Sequence, residues 1–553
     1  MNPRLKPFAA LAIAAIALFC SCDKHGNPQE EPLSGNYILV DATSQGDVLP
    51  NIVSNVNVWD MGKSYYHPKI NKDANVFEFV EYVQFMQCTG GSTGRDLFRN
   101  PNRRDVKDDY NFAGLIKNCS GVLQMGAKPH LKLGSVPLKL TTDPVSAGFG
   151  TNIYPPDDYK EYYTYIKAVI TALVEEFGLE EVRTWHFGCM TEYENYSWFK
   201  ARSGDARDSK VAFCKLYDYT VQALMDVLGD DVYVGAHSMT VSEGGWDERG
   251  FIEHCASGTN YANGGLGTRL CYLSASYYDY CPGVFSTGKD LASTVAFLRD
   301  AAESCGLKGL KYGIDEGRLL CGVNAGSQSI ELYNRTTGYT WQAAYDARLF
   351  KIGIDAGLDY FSSWNFLSGG NIYGYPTISY HVASNLGKMA GMRRAPAEVV
   401  FTALDGAEAD CLAATDGGTV RLMVYNFKND LNYARRLNYT LRVKCPFGGS
   451  EASVTRYLVS DDCNFFDEWL KDRESLGITA ADFGWSSDDP LLDFNVTLSG
   501  AAAVVKYKSV RDKYFEYSRL TPVTETVPVT CGSITLNETL GASNVLFLEI
   551  KPL

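Results

Sequence analysis

Between residues 36 and 392, short apolar runs alternate with amphipathic helices at a spacing of about 40 residues, and this rhythm constrains the fold most. The clearest helix is DDYKEYYTYIKAVITALVEEFG. Its apolar residues Tyr159, Tyr162, Tyr163, Ile166, Val169, Ile170, Leu173, Val174 and Phe177 recur three and four apart. Two prolines precede it, Asp158 and Glu161 are spaced as a capping pair, and Gly178 stops it. Further helices are expected over Ser209–Leu228, Leu291–Cys305 and Trp341–Ile354. The helices are followed by runs with strand character: Val182–Cys189, Val232–Ala236, Leu310–Ile314 and Tyr360–Trp364. Parallel strands joined by crossover helices satisfy this order. A doubly wound sheet is the alternative, but no GxGxxG follows a strand, and the number of units suits a closed (β/α)8 TIM barrel over 36–392.

From 393 to 553 the helical period fades. TVRLMVYNF, YTLRVKC, AAVVKYKSV and NVLFLEI read as strands between turns, so this part is expected to be a β-sandwich. One short helix is expected at about Asp462–Leu476, and the first strand of the barrel region is free to pair with the sandwich.

The N-terminus is a separate element. Arg4 and Lys6 precede the apolar run Phe8–Phe19, which is too short for a membrane span, and Cys20-Ser21-Cys22 follows. This resembles a bacterial lipoprotein signal over residues 1–21, with Cys22 as the lipidated first residue; an ordinary secretory signal is the alternative. Residues 22–35, polar with two prolines, then form a tether. The expected location is outside the cytoplasm, lipid-anchored to the cell envelope. The chain carries a formal charge of -14, and losing the leader removes only two basic residues. Such an acidic surface repels phosphate backbones, so nucleic acid is not an expected partner. Thirteen cysteines lie beyond Cys22, with no CxxC pair and no zinc-like spacing, and nothing suggests a metal or an organic cofactor. Most are expected to be small buried apolar groups, although export allows a bridge or two. The sequence does not fix the oligomeric state.

In a barrel of this type the chemistry sits at the C-terminal ends of the strands. One strand ends in TWHFGCMTEYEN, giving Thr191, Glu192 and Glu194; another ends in KYGIDEGR, giving Asp315 and Glu316; a third ends in FSSWNF. Two carboxylates on separate strands facing one opening suit glycosidic cleavage, one as acid and one as anion. A separation of about 5–5.5 Å gives retention, and about 6.5–9.5 Å gives inversion. Strand-end carboxylates also bind helix N-termini or arginines, so spacing alone leaves both readings open.

YNFAGLIKNCSGVLQMGAKPHLKLGSVP resembles the third βα unit of glycoside hydrolase family 39, and DDYKEYYTYIKAVITALVEEFGLEEVRTWHFGCMTEYEN resembles the next. The similarity covers about residues 50–390, with a sandwich in the expected place. In that family Trp-x-Phe is followed four residues later by Asn-Glu. Aligned on Trp185 and Phe187, the resemblance makes Glu192 the acid/base and puts Thr191 where the family has Asn. It makes Glu316 the nucleophile, Trp364 the floor under a sugar ring, and the enzyme a retaining glycosidase on carbohydrate, with xylosides and iduronides among the family's substrates. The family's Asn holds the sugar's 2-hydroxyl. Thr191 is shorter and lacks the second group, so the substrate differs there, another side chain serves, or the protein binds glycan without cleaving it. Glu194 rivals Glu192, because positions 192 and 194 share a face if the strand stays regular. His237, Tyr277 and Tyr278 are candidate sugar or nucleophile contacts. Arg95 is a loop candidate. His130 and Lys132 lie on one strand, where Lys132 faces either the cleft or an interior ion pair.

Overall fold

The computed structural model describes residues 21–22, 28–29, 32–60, 78–147, 149–240, 244–279, 289–319, 340–363, 371–372, 375–478, 483–485, 496–498 and 501–553. Its clearest helix runs Tyr159–Phe177, capped by Asp158, whose side chain accepts from the Lys160 N–H. The reciprocal half of the cap is not made, because Glu161 pairs with Lys107 instead. Gly178 takes a φ of +86°, a conformation open to glycine, and ends the helix. The stretch expected to be strand from Val182 begins as a further helical turn, Leu179–Val182, before the strand His186–Cys189. Helices at Ala206–Leu228, Leu291–Ser304 and Trp341–Asp355 match the other three expectations within a few residues.

Eight parallel strands close a barrel in chain order. They are β1 (Asn55–Asp60), β2 (Tyr82–Gln87), β3 (Lys128–Lys132), β4 (His186–Cys189), β5 (Tyr233–Ser238), β6 (Tyr272–Asp279), β7 (Lys311–Leu319) and β8 (Tyr360–Ser363). Each crossover helix buries its apolar stripe on the barrel's outer surface, as Tyr162, Ile166, Val169, Ile170 and Leu173 do on the first helix above. At roughly 25 cal/mol per Å², these stripes hold the helical shell to the barrel.

The C-terminal part is two facing sheets of six and four strands. The N-terminal strand Tyr37–Asp41 enters the four-stranded sheet, antiparallel to Ala397–Val400 and parallel to Leu437–Lys444, so the first strand expected of the barrel region belongs to the sandwich. AAVVKYKSV departs from expectation: Ala501–Val510 is helical. Its alanines favour helix, and the segment lacks strict alternation. The short helix expected near Asp462 occupies Phe466–Ser475. Sandwich residues Tyr425, Phe427 and Phe547 join the same core as Trp341 and Tyr345 on the barrel's helical shell. Ser21–Cys22 pairs with Pro28–Gln29 in a small antiparallel ladder. Ten described cysteines, from Cys88 to Cys463, are free thiols.

Candidate active site

At the end of β4 the chain leaves strand geometry abruptly. Met190 and Glu192 both take positive φ, +64° and +44°. A non-glycine residue there costs roughly 1–3 kcal/mol, which persists only where surrounding bonds enforce it. The enforcing bonds are present. The Tyr193 N–H donates to the His237 carbonyl at 3.1 Å, and the Thr191 hydroxyl donates to the Met86 carbonyl at 3.0 Å. This turn ends the alternation that would have put residues 192 and 194 on one face.

Glu192 is 8% exposed, with donors on both oxygens. Ser276 Oγ donates to its Oε1 at 2.6 Å, and Asn195 Nδ2 donates to its Oε2 at 2.7 Å. The Trp198 side chain hydrogen-bonds it too, and Trp198 is itself stacked on Phe149 at 4.3 Å between ring centroids. The Ser197 N–H fixes the Asn195 amide by donating to Oδ1 at 2.9 Å. Burial pushes the Glu192 carboxyl above its ordinary range, and the three hydrogen bonds pull the other way. A carboxyl raised by burial is what a general acid needs.

Glu316 reaches the same place from β7. A bulge at Asp315 breaks the register with β6, so that Ile314 pairs Ala275 and Glu316 pairs Ser276. Glu316 is half-buried, directly beside the serine that holds Glu192. Tyr278 OH donates to Glu316 Oε1 at 2.7 Å. Ser276 and Tyr278 alternate with Leu273, Ala275 and Tyr277, so one face of β6 serves both carboxylates.

The bulge residue is clamped from below. Lys132 forms a fully buried ion pair with the Asp315 carboxylate, and Tyr360 OH donates to its Oδ1 at 2.6 Å. The Asp315 carbonyl accepts from Asn57 Nδ2 at 2.9 Å and Gln84 Nε2 at 3.1 Å. Burial opposes ionisation of Asp315, yet the Lys132 ammonium holds its carboxyl far below the usual range. Lys132 is thus the interior ion-pair partner and does not reach the cleft. His130 Nε2 shares a hydrogen bond with Tyr272 OH at 2.8 Å inside the barrel. Beyond Glu316, Arg318 has a φ of +104°, with its guanidinium on Asp346 in a buried two-pronged pair. Glu316 therefore sits between two pinned irregularities.

The other expected residues are placed as follows. Thr191 is nearly buried, with its proton committed to Met86, so it offers a sugar only acceptor lone pairs. His237, expected to touch a sugar hydroxyl, is corrected: it is wholly buried behind Ser276, with Nε2 2.9 Å from Ser276 Oγ. Tyr277, expected beside the nucleophile, is corrected as well. It points outward into the helical shell, where its hydroxyl donates to Asp279 Oδ1 at 3.0 Å, because β6 alternates and only even positions face the cavity. Glu194 is fully buried to one side, accepting from the Met239 N–H, and burial together with Glu248 pushes its carboxyl well up. Arg95 Nη1 donates to Gln87 Oε1 at 3.0 Å. Trp364 lies outside the described residues. Sequence reasoning missed Ser276, Asn195 and Trp198. The parity of SASYYDY was the available signal for Ser276, which shares a face with Tyr278. Among the described residues, no group of His, Cys, Asp or Glu could hold a metal ion.

The family model of glycosyl hydrolases family 39 matches residues 92–475. A beta-xylosidase of Geobacillus stearothermophilus is 30% identical over 155 residues, covering 28% of this chain and 29% of the relative. A beta-xylosidase of Caldicellulosiruptor saccharolyticus is 26% identical over 151 residues, covering 27% and 28%. The chain thus aligns with under a third of either curated relative's length. Among solved structures, a monomeric beta-xylosidase from Caulobacter crescentus CB15 superposes with a TM-score of 0.64 at 15% identity, covering 94% of this chain and all of that one. A bacterial orthologue of human α-L-iduronidase gives 0.61 at 14% identity, covering 94% and 84%. At these identities the structures establish a shared fold: a barrel with a sandwich.

Proposed function

The chain belongs to glycosyl hydrolases family 39, and from that premise we propose that it is a retaining glycoside hydrolase in which Glu316 is the nucleophile and Glu192 the acid/base. The observation that carries this reading is Ser276, which holds Glu192 through its hydroxyl and is the ladder partner of Glu316. Glu316 attacks the anomeric carbon while protonated Glu192 gives its proton to the leaving oxygen. In the glycosyl-enzyme the negative charge of Glu316 is gone, and Glu192, now ionised, takes a proton from the attacking water. Tyr278 stabilises the Glu316 anion before attack and gives up that role as the ester forms.

The family and the two beta-xylosidases above make xylosides the first substrate class to test. With its proton on Met86, Thr191 leaves the 2-hydroxyl of the sugar to donate rather than accept there. A glycan-binding protein without catalysis fits less well, because nothing in sugar binding alone requires a buried, raised carboxyl beside a second one. The test is hydrolysis of an aryl xyloside in dilute methanol, followed by NMR. Retention in the first-formed product and loss of turnover in Glu316→Ala support the reading; inversion, or unchanged turnover in Glu316→Ala, rejects it.

We also propose that the leader directs export and that Cys22 carries lipid, on the strength of Arg4, Lys6, the apolar run and Cys22 alone. Among the described residues no helix is long and apolar enough to cross a membrane. Labelling with a palmitate analogue in a bacterial host, lost in Cys22→Ala, checks this; label retained in the variant refutes it.

A further inference from the structure

Behind Glu192 a hydrogen-bond chain runs into the barrel wall. His237 Nε2 lies 2.9 Å from Ser276 Oγ, and Ser276 Oγ lies 2.6 Å from Glu192 Oε1. His237 and Ser276 are buried, and among the described residues His237 Nδ1 has no partner. A serine hydroxyl has one proton. If that proton goes to Glu192, the serine must accept from His237, which requires the Nε2–H tautomer. Burial pushes His237 down to about 3, helped by the nearby Lys132, so the ring is neutral wherever the enzyme works. The charged groups facing this chain are Glu316 on β7 and, deeper, Lys132 on β3 with Asp315 on β7.

We propose that His237 and Ser276 are positioning residues forming a fixed-direction relay, in which the His237 N–H commits the Ser276 hydroxyl to donate to Glu192 Oε1 and so leaves the mobile catalytic proton to Oε2. This rests on the reading of Glu192 as the acid/base. The same donor serves both steps. In the first it orients the acid and favours release of its proton; in the second it holds the carboxylate as base. A neutral imidazole cannot reverse the chain without changing tautomer, which would strand a donor at Nδ1 in place of the present acceptor. Asn195 then shares Oε2 with the proton, since each carboxyl oxygen has two lone-pair sites.

The test is the pH dependence of kcat/KM on an aryl glycoside. Its alkaline limb reports loss of the proton from Glu192. Ser276→Ala removes a donor that favours the anion, so the limb moves to higher pH and kcat falls about ten-fold, as for one hydrogen bond to a charged group, with KM little changed. His237→Leu moves the limb the same way. The double variant goes no further, and His237→Gln, which keeps an N–H donor at similar reach, restores the limb. An unmoved limb in Ser276→Ala, or additive shifts in the double variant, overturns the relay. Glu192→Gln, run in parallel, separates the two claims: if it keeps the alkaline limb, the assignment of Glu192 fails, whereas if only Ser276→Ala keeps it, the relay fails alone. Should Ser276→Ala not fold, the contrast between His237→Leu and His237→Gln carries the same test, and equal limbs in those two overturn the proposal.

Discussion

Ser276 and Tyr278, two positions apart on the inner face of β6, donate to opposite members of the carboxylate pair: Ser276 to Glu192 at 2.6 Å and Tyr278 to Glu316 at 2.7 Å. One strand step of two residues spans roughly 6.5 Å, so a single rigid element sets how far apart the two supports stand. Tyr278→Phe removes the donor to Glu316 and keeps the ring. A hydrogen bond to a charged group is worth about 1.5–3 kcal/mol, so kcat/KM is expected to fall about ten- to hundred-fold. Steady-state kinetics on an aryl glycoside reads this directly, and a change under two-fold would mean Tyr278 does not support the nucleophile.

Glu192 and Glu194 separate by chemical rescue. Glu192→Gln cannot activate water, so on an activated aryl glycoside its glycosyl-enzyme accumulates, and added azide, which needs no base, restores turnover as the glycosyl azide. Glu194→Gln has its side chain turned to the Met239 N–H and is expected to keep turnover and ignore azide. The reverse pattern would exchange the two roles.

Glu194 also gives a prediction on stability. Its carboxyl is buried and pushed well above the ordinary value, with Oε2 lacking a partner among the described residues. The folded chain therefore holds the proton more tightly than the unfolded chain. Its contribution to stability is complete below an unfolded value of about 4.3 and is lost as pH rises through the raised folded value. Glu194→Gln keeps an acceptor for Met239 and carries no charge, so the fall in Tm with rising pH is expected to be shallower in the variant. Parallel Tm–pH curves for the two proteins would exclude this cause.

The strand and helix pattern was readable because the long barrel helices carry apolar stripes at helical spacing and the first two of them stop at Gly178 and Gly229. As strand-end carboxylates Glu192 and Glu316 were readable alongside Glu194 and Asp315, and only the resemblance to glycoside hydrolase family 39 singled the two out. Their supports were less so. Parity along SASYYDY separates Tyr278 from Tyr277, yet it says nothing of a bulge at Asp315 that shifts β7 by one residue and brings Glu316 beside Ser276. Nor does local pattern reveal the left-handed turn at Met190 and Glu192, which turns Glu194 away. These features depend on long-range bonds, from Thr191 to Met86 and from Asp315 to Lys132, and not on neighbours in sequence.

The Lys132–Asp315 pair joins fold to chemistry, and its removal should show both. Asp315 has a depressed folded value, so its contribution to stability is present above about 3.9 and lost as pH falls towards the folded value. Lys132→Met leaves a buried carboxylate unpaired and is expected to cost roughly 3–5 kcal/mol. Adding Asp315→Asn removes the stranded charge while keeping an acceptor for Tyr360, so Lys132→Met/Asp315→Asn should recover most of that stability in urea unfolding. Activity should recover less, because the ammonium that pins the bulge below Glu316 is still gone, and kcat/KM should remain at least about ten-fold down, the size of one hydrogen bond to a charged group. Recovery of stability and activity together would show that the pair serves the barrel alone; recovery of stability without activity would place Lys132 in the orientation of the nucleophile.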